Sequence, residues 1–314
     1  MNISMFLEVV NLDGILAIHK EVGMTSHDVV FKLRKILKTK KVGHTGTLDP
    51  EVSGVLPICI GKATRVSDYV MESGKTYKAE VTIGVSTTTE DQTGDIVEEK
   101  NVNENTWSTD DIRSTINKLE GEIEQIPPMY SAVKVNGKKL YEYARQNIEV
   151  ERPVRKVFIN SIELISEISY DNQTCKFEIE VECGKGTYIR TLATQIGELL
   201  GFPAHMSHLI RLKSGGFSLE QAIKLDELRQ IVEQDKLQDV LLPLEYGLNG
   251  LEKTTINDEE IVKRIQNGQK IEKQLIADHQ FEGIFVVWYG DKAIAIMDTY
   301  EKNNALYKPK KVFL

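Results

Sequence analysis

Two segments of this chain alternate apolar and polar residues, over seven positions in the first and nine in the second. The apolar sets are Tyr77, Ala79, Val81 and Ile83 in the first segment and Cys175, Phe177, Ile179, Val181 and Cys183 in the second. A period of two places one set of side chains on each face of a β-strand, so both segments are predicted to be half-buried strands. Antiparallel sheets can keep one face in solvent, whereas parallel sheets are usually covered on both faces. The alternation therefore favours a largely antiparallel sheet.

Helical patterns lie between the strand patterns at irregular intervals. Thr25 or Ser26 is predicted to cap a helix whose apolar face is Val29, Val30, Leu33 and Leu37. A second helix is predicted to open at Thr187, after a Gly-Lys-Gly turn at 184–186, and to bury Ile189, Leu192, Ala193, Ile196 and Leu199. Strands with one solvated face, mixed irregularly with helices, predict an α+β fold around a central, largely antiparallel mixed sheet.

The 314 residues are enough for one large domain and one small one. Proline, glycine and asparagine become frequent at 243–255, and short strand-like runs follow at 283–289 and 293–297. We therefore predict a large domain at 1–249 and a small β-rich domain at 250–314, with residues 1–12 as a short lead-in.

The charge of the chain is segregated. Its net charge of -8 argues, taken alone, against a nucleic-acid binder. The acidic excess, however, is concentrated at 90–124, whereas 32–41 and 134–145 are basic. A phosphate backbone responds to the local field, so this distribution does not exclude RNA.

Several classes of protein are disfavoured by what the sequence lacks. Cys59, Cys175 and Cys183 form no Cys-x-x-Cys pair and are expected to be buried thiols in a reducing compartment. No signal peptide or membrane-spanning run is apparent, so we expect a cytoplasmic protein without a membrane partner. No P-loop, dinucleotide fingerprint or metal-ligand cluster is present, and neither a cofactor nor a metal is expected.

The loop GHTGTLDP at 43–50 is the most unusual in the chain. Its two glycines allow a tight turn or the close approach of a bulky ligand. Pro50 restricts Asp49 to an extended backbone and so fixes where its carboxylate points. By itself this pattern is typical of a structural turn.

The longer string at 43–65 resembles the signature of the bacterial tRNA pseudouridine synthase B (TruB) family. Five further segments resemble motifs of that family in the same order: KEVGMTS at 20–26, KTY at 75–77, PPMYSAVK at 127–134, KGTYIR at 185–190 and HLIR at 208–211. The resemblance covers roughly 14–245, and it departs from the family at Glu21, where proline is usual. Residues 250–314 resemble a PUA-type RNA-binding domain by position and β-rich pattern alone.

The resemblance implies a pseudouridine synthase fold and assigns roles to residues. Asp49 would be the catalytic nucleophile and Arg190 its ion-pair partner, with Lys20 in support. Tyr77 would stack on the flipped uracil, Tyr188 and Leu209 would line its pocket, and His44 would contact the uridine or fill the space that it leaves. A loop at about 125–155 would embrace the RNA. These roles have structural alternatives: packing for Tyr77, Tyr188 and Leu209, and solvation for Arg190 and His44.

The implied reaction is the isomerisation of uridine to pseudouridine at position 55 in the T-loop of tRNA, by a monomer that needs no guide RNA. The alternatives are the same chemistry on another RNA, or a tRNA-folding factor whose catalysis is secondary. A snoRNP-type catalytic subunit is disfavoured because the chain has no evident basic tail. The presence of Asp49, Tyr77 and Arg190 together favours catalysis. Whether Asp49 attacks C1′, adds to C6 or deprotonates C2′ stays open.

Overall fold

A computed structural model describes residues 12–277 and 280–313. The predicted lead-in at 1–12 lies, apart from Leu12, outside the described residues. The strands are β1 (Gly14–Lys20), β2 (Val42–His44), β3 (Ser53–Ile60), β4 (Lys75–Ile83), β5 (Val85–Thr87), β6 (Ile96–Glu99), β7 (Gly121–Gln125), β8 (Lys134–Val135), β9 (Lys138–Lys139), β10 (Arg155–Leu164), β11 (Ser169–Asp171), β12 (Thr174–Cys183), β13 (Ala204–Ser214), β14 (Phe217–Ser218), β15 (Glu252–Thr255), β16 (Ile271–Glu272), β17 (Phe285–Tyr289), β18 (Lys292–Thr299) and β19 (Leu306–Val312). The α-helices are α1 (Ser26–Ile36), α2 (Ser67–Glu72), α3 (Thr109–Ile116), α4 (Leu140–Arg145), α5 (Ile189–Leu200), α6 (Leu225–Glu233) and α7 (Glu259–Gln266).

The first sheet has the strand order β1-β3-β13-β4-β12-β10-β7, with β2, β11 and β14 paired alongside. The pair β13–β3 is parallel, and the other pairs along that order are antiparallel. The two alternating segments of the sequence are β4 and β12, which lie side by side with Tyr77 opposite Val181. Their apolar residues are all buried. The predicted α+β fold with a largely antiparallel mixed sheet is confirmed.

Helices α1 and α5 contribute to the main core with the apolar faces predicted for them, except for Leu199, which was predicted to be buried and is 48% exposed. Thr25 caps α1: its hydroxyl accepts the N–H of Asp28, and the Asp28 carboxylate accepts the N–H of Thr25 at 2.8 Å. The predicted start of α5 at Thr187 is wrong by two residues, since the helix begins at Ile189. The Thr187 hydroxyl donates to the carbonyl of Gly184 at 3.1 Å, so it closes the preceding turn and does not cap the helix.

A second sheet, in the order β15-β17-β18-β19-β16, occupies residues 252–312. It has its own core around Phe285, Ile294 and Tyr307. A further buried group, which we call the shared cluster, contains residues of both sheets: Ile15, Ala17, Val55, Cys59, Ala63, Val66, Val70, Phe217, Leu248, Val286, Ala293, Ile296 and Phe313. At its edge, Arg65 donates to the carbonyl of Val312 at 2.6 Å. The small β-rich sheet is thus docked through buried apolar surface.

The predicted excursion lies between the end of β7 at Gln125 and the start of β10 at Arg155. It contains the two short strands β8 and β9 and the six-residue helix α4.

All three cysteines are free and buried, and burial raises the pKa of Cys59 to about 12. In the described ranges no helix has the length and apolar character needed to cross a membrane.

Candidate active site

A cavity of about 860 Å³ opens at the middle of the first sheet. Its wall is built from β4, β13, the loop before β3, the start of α5 and the excursion, and it includes Asp49, Tyr77, Tyr130, Ser131, Tyr188, Arg190, Leu209 and Arg211. Sites for small molecules typically enclose 300–1,000 Å³, so the cavity is large enough for a nucleotide.

The backbone on both sides of Asp49 is fixed by hydrogen bonds. The buried Ser26 hydroxyl accepts the N–H of Leu48 at 2.9 Å, and the N–H of Gly23 donates to the carbonyl of Pro50 at 2.9 Å. The Asp49 carboxylate nevertheless remains 47% exposed and faces the cavity. The chain therefore presents a reactive group from a rigid loop.

Gly54 allows the strand after this loop to approach β13 closely. It has φ +129°, and a Cβ built on it would lie 2.3 Å from the carbonyl oxygen of Arg211. No side chain fits in that space, so glycine is required where β3 begins its parallel pairing with β13.

Lys20 lies at the end of β1 and is fully buried. Its ammonium donates to the carbonyls of Glu21 at 3.0 Å and Pro50 at 3.3 Å. Burial lowers the pKa of Lys20 to about 8, against the opposing influence of the Asp49 and Glu51 carboxylates. At Glu21, which departs from the family pattern, the carboxylate pairs with Lys224 at 3.0 Å.

Arg190 lies in the first turn of α5, and only 8% of its side chain is exposed. Its Nη2 is 3.2 Å from the Asp49 carboxylate and donates to the carbonyl of Tyr130 at 2.9 Å. Its Nη1 donates to the carbonyl of Thr89 at 3.2 Å and lies 3.5 Å from Asp91. The planar guanidinium can satisfy acceptors in several fixed directions at once, which a lysine cannot.

Asp91 is a site residue that sequence reasoning missed. One oxygen accepts the Thr89 hydroxyl at 2.7 Å, the Thr93 hydroxyl at 2.6 Å and the Thr93 N–H at 2.9 Å, while the other faces Arg190. Asp91 therefore holds Arg190 from the side opposite Asp49. The Asp-x-Thr sequence signals a turn, but it carries no sign of a partner 99 residues away.

Tyr77 and Arg211 face each other across the pairing of β4 with β13. Arg211 is almost completely buried and donates from Nε to the carbonyl of Val55 at 2.9 Å and from Nη2 to that of Gly46 at 3.4 Å. Burial raises the pKa of Tyr77 and lowers that of Arg211. Sequence reasoning also gave Arg211 no role. The available signal was that residues two apart in a strand share a face, which places Arg211 on the same side as Leu209.

Leu209 is 9% exposed, belongs to the main core and also lines the cavity. Tyr188 is half-buried in the cavity wall, and the Gln125 side chain binds both its N–H and its carbonyl. The tyrosine and the leucine thus lie in the same cavity wall as Asp49.

His44 is outside the residues that line this cavity. It lies in β2, its ring meets that of His27 edge-on at 5.9 Å, and its Nδ1 has no hydrogen-bond partner among the residues that the structure describes. Burial, with smaller contributions from His27 and Arg211, lowers the pKa of His44 and so favours the neutral ring.

Two family models together match residues 34–249. The first, described as the TruB family pseudouridylate synthase N-terminal domain, matches 34–189, and the second, the tRNA pseudouridylate synthase B C-terminal domain, matches 190–249. Among curated relatives, tRNA pseudouridine synthase B of Staphylococcus epidermidis is 58% identical over 96% of this chain and 99% of its own. The protein of that name from Staphylococcus aureus is 59% identical with the same coverage.

Chains from two solved complexes have a similar fold. A chain of a Cbf5-Nop10-Gar1 complex superposes with a TM-score of 0.72 at 30% identity, over 96% of this chain and 85% of that one. A chain of an H/ACA RNP bound to a substrate RNA that contains 2′-deoxyuridine gives a TM-score of 0.71 at 27% identity, with the same coverage. With the matching models and the high identity to relatives of equal length, the chain belongs to the TruB family of pseudouridine synthases, with a PUA-like C-terminal sheet.

Proposed function

We propose that this protein isomerises uridine to pseudouridine in tRNA, at position 55 of the T-loop, with Asp49 as the catalytic carboxylate. The observation that carries the proposal is the placement of a half-exposed Asp49 between a buried arginine and a nucleotide-sized cavity that Tyr77 also lines. The substrate follows from the tRNA pseudouridine synthase B relatives, at 58–59% identity.

The reaction breaks the N1–C1′ bond of a uridine, turns the base and joins C5 to C1′; the proton of C5 is lost, and N1 gains a proton. It is an isomerisation and so consumes no redox equivalent and no phosphate. Asp49 can serve by attack on C1′, by addition to C6 or by removal of a proton from C2′. All three routes need a carboxylate beside the flipped nucleotide, and the Arg190 guanidinium, 3.2 Å from the carboxylate of Asp49, can orient it there.

A uridine inside a folded loop must leave its stack before a protein group can reach it. In our proposal the extruded uracil lies over Tyr77, with Leu209 and Tyr188 against its edges. The buried ring of Tyr77, which lies opposite Arg211 in the pairing of β4 with β13, would give a rigid face for stacking. His44 then acts outside this cavity, where it contacts RNA next to the target or fills the space that the base leaves.

The remaining RNA contacts are assigned to two regions. The excursion at about 125–155 places Tyr130, Ser131 and Tyr141 in the cavity wall and would close over the T-stem-loop. Residues 250–314 form the second domain of the proposed division and would bind the RNA backbone. We propose a cytoplasmic monomer that acts without guide RNA, since the relatives of highest identity given above carry the name of a tRNA enzyme.

Asp49→Asn tests the proposal, with Glu51→Gln as a matched control for a neighbouring exposed carboxylate. Asp49→Asn keeps the size of the side chain and removes its charge, so the protein should fold, bind tRNA and form no pseudouridine. The assay is tritium release from tRNA that carries [5-³H]uridine, combined with mapping of the product position. Turnover by pure Asp49→Asn above a trace of the parent rate would refute the role of Asp49. Product at a position other than 55 would refute the assignment of the substrate.

A further inference from the structure

The segment 34–41 carries five exposed cations: Arg34, Lys35, Lys38, Lys40 and Lys41. We call them the α1 basic surface. No acidic residue occurs between Asp28 and Asp49, although the whole chain has a net charge of -8. Within the residues that the structure describes, none of the five forms an ion pair.

Simple solvation accounts poorly for this surface. Elsewhere the protein offsets helical cations with nearby carboxylates, as Asp110 does for Arg113 and Asp226 does for Arg229. The acidic residue of α1, Asp28, is instead used as a cap with Thr25. Five like charges within eight positions repel one another and are stabilised only by counterions.

An exposed aromatic ring lies among these cations. Phe31 is 58% exposed, and the Lys35 ammonium lies 4.3 Å from the centre of its ring. Cationic and aromatic side chains on one exposed face match the phosphates and bases of a nucleic acid.

The segment that carries this surface, from the start of α1 to Lys41, is connected to the catalytic loop at both of its ends. Helix α1 begins at Ser26, whose hydroxyl binds the backbone of Leu48 next to Asp49. After Lys41 the chain runs directly into β2 and the 43–50 loop. At 1.5 Å of rise per residue, Lys35 lies about 14 Å along the helix from Ser26, a distance that a few nucleotides can span.

We propose that the α1 basic surface binds the phosphate backbone of the substrate tRNA beside the part held in the cavity. The proposal rests on the proposed function, because it takes the bound RNA to be the substrate. Each phosphate that a lysine neutralises releases counterions, so these contacts contribute affinity that falls steeply with salt. They lie away from the reacting atoms and do not change the chemical step.

The test compares two double variants of the full chain. Lys35→Gln with Lys38→Gln removes two charges from the surface. Lys118→Gln with Lys236→Gln removes two exposed lysines that form no ion pair among the described residues. Affinity for full-length tRNA is measured between 50 and 200 mM salt, and tritium release is measured at saturating tRNA.

If each lysine contacts one phosphate, the slope of log K against log salt should fall by nearly two in the α1 double variant. Between the two salt concentrations the parent should then lose about tenfold more affinity than this variant. The control pair should keep the parent's slope, and all three proteins should share one kcat.

An α1 double variant with the affinity and slope of the parent would overturn the proposal, and so would an equal change in the control pair. The proposed function fails separately. If the parent protein makes no pseudouridine but the α1 variant still loses its salt-dependent affinity, the surface binds RNA and the assigned reaction is wrong.

Discussion

Replacement of Arg190 with methionine tests the network around the candidate nucleophile. The methionine fills much of the same volume but removes four contacts: two carboxylates, Asp49 and Asp91, and two carbonyls, those of Thr89 and Tyr130. Asp91 is only 16% exposed, so it would be left as a nearly buried charge without its cation. Removal of one partner from a buried ion pair costs about 3–5 kcal/mol. Because Asp91 keeps its bonds to Thr89 and Thr93, we expect the lower end, about 3 kcal/mol.

The effect on activity has a different origin. Asp49 is 47% exposed and does not need Arg190 to stay folded, but it needs Arg190 to keep its direction. A displacement of about 1 Å in a reacting group can cost about 100-fold in rate. We therefore expect Arg190→Met to lower kcat by at least about 100-fold. Asp91→Asn in the Arg190→Met background should recover much of the stability, since it removes the unpaired charge, and should recover no activity.

The assays are equilibrium urea unfolding and single-turnover tritium release from [5-³H]uridine tRNA. Asp91→Asn alone is the matched control, because it disturbs only one side of the guanidinium. If Arg190→Met is as stable as the parent, Asp91 is not the buried charge that the structure indicates. If the second change restores turnover as well as stability, Arg190 acts by protecting the fold and not by orienting Asp49.

Two further predictions concern the groups around Asp49. Tyr77→Phe keeps the ring and should retain most turnover, whereas Tyr77→Leu should lose about 1–3 kcal/mol of stacking, or 5- to 150-fold in kcat/KM. Near-normal turnover by the leucine variant would assign Tyr77 to packing. Burial lowers the pKa of Lys20 to about 8, so its ammonium is present below that pH and is lost above it. We expect kcat/KM of the parent to fall as pH rises through 8, and we expect Lys20→Arg, which stays protonated, to move that fall upward. Ionisation of the RNA affects the parent and Lys20→Arg equally, so a difference between their pH profiles reports on Lys20. Identical profiles would show that the charge of Lys20 is not needed.

The elements that could be predicted are those with local signals. The alternation in β4 and β12 depends only on which face of a strand is buried, and the alternating residues are found there. Thr25 lies three residues before Asp28, a spacing that forms a capping box in the structure. The start of α5 was misplaced because the Thr187 hydroxyl had two local uses, a cap or a turn, and the sequence does not distinguish them.

The contacts that hold Arg190 could not be predicted in this way. Its partners Thr89 and Asp91 lie about 100 positions earlier, inside a stretch whose acidity appeared to be a property of the whole segment. A parallel β-bridge between Asp91 and Met206, together with the packing of α5 on β13, brings these parts of the chain together, and no short sequence pattern predicts that contact. The family resemblance gave Asp49 and Arg190 as a pair, but it did not include the second carboxylate.

The shared cluster has a consequence for how the two sheets can vary among relatives. Ile15 and Val55 come from the first sheet and Val286 and Ile296 from the second, and all four are buried in one packed group. A change of volume on one side has to be matched on the other, because packed interiors do not absorb even one methylene freely. A C-terminal sheet grafted from a relative would therefore need the matching face of β1 and β3 to accompany it. The domain boundary that the sequence predicts near 250 is therefore not a point at which relatives can exchange their C-terminal parts freely.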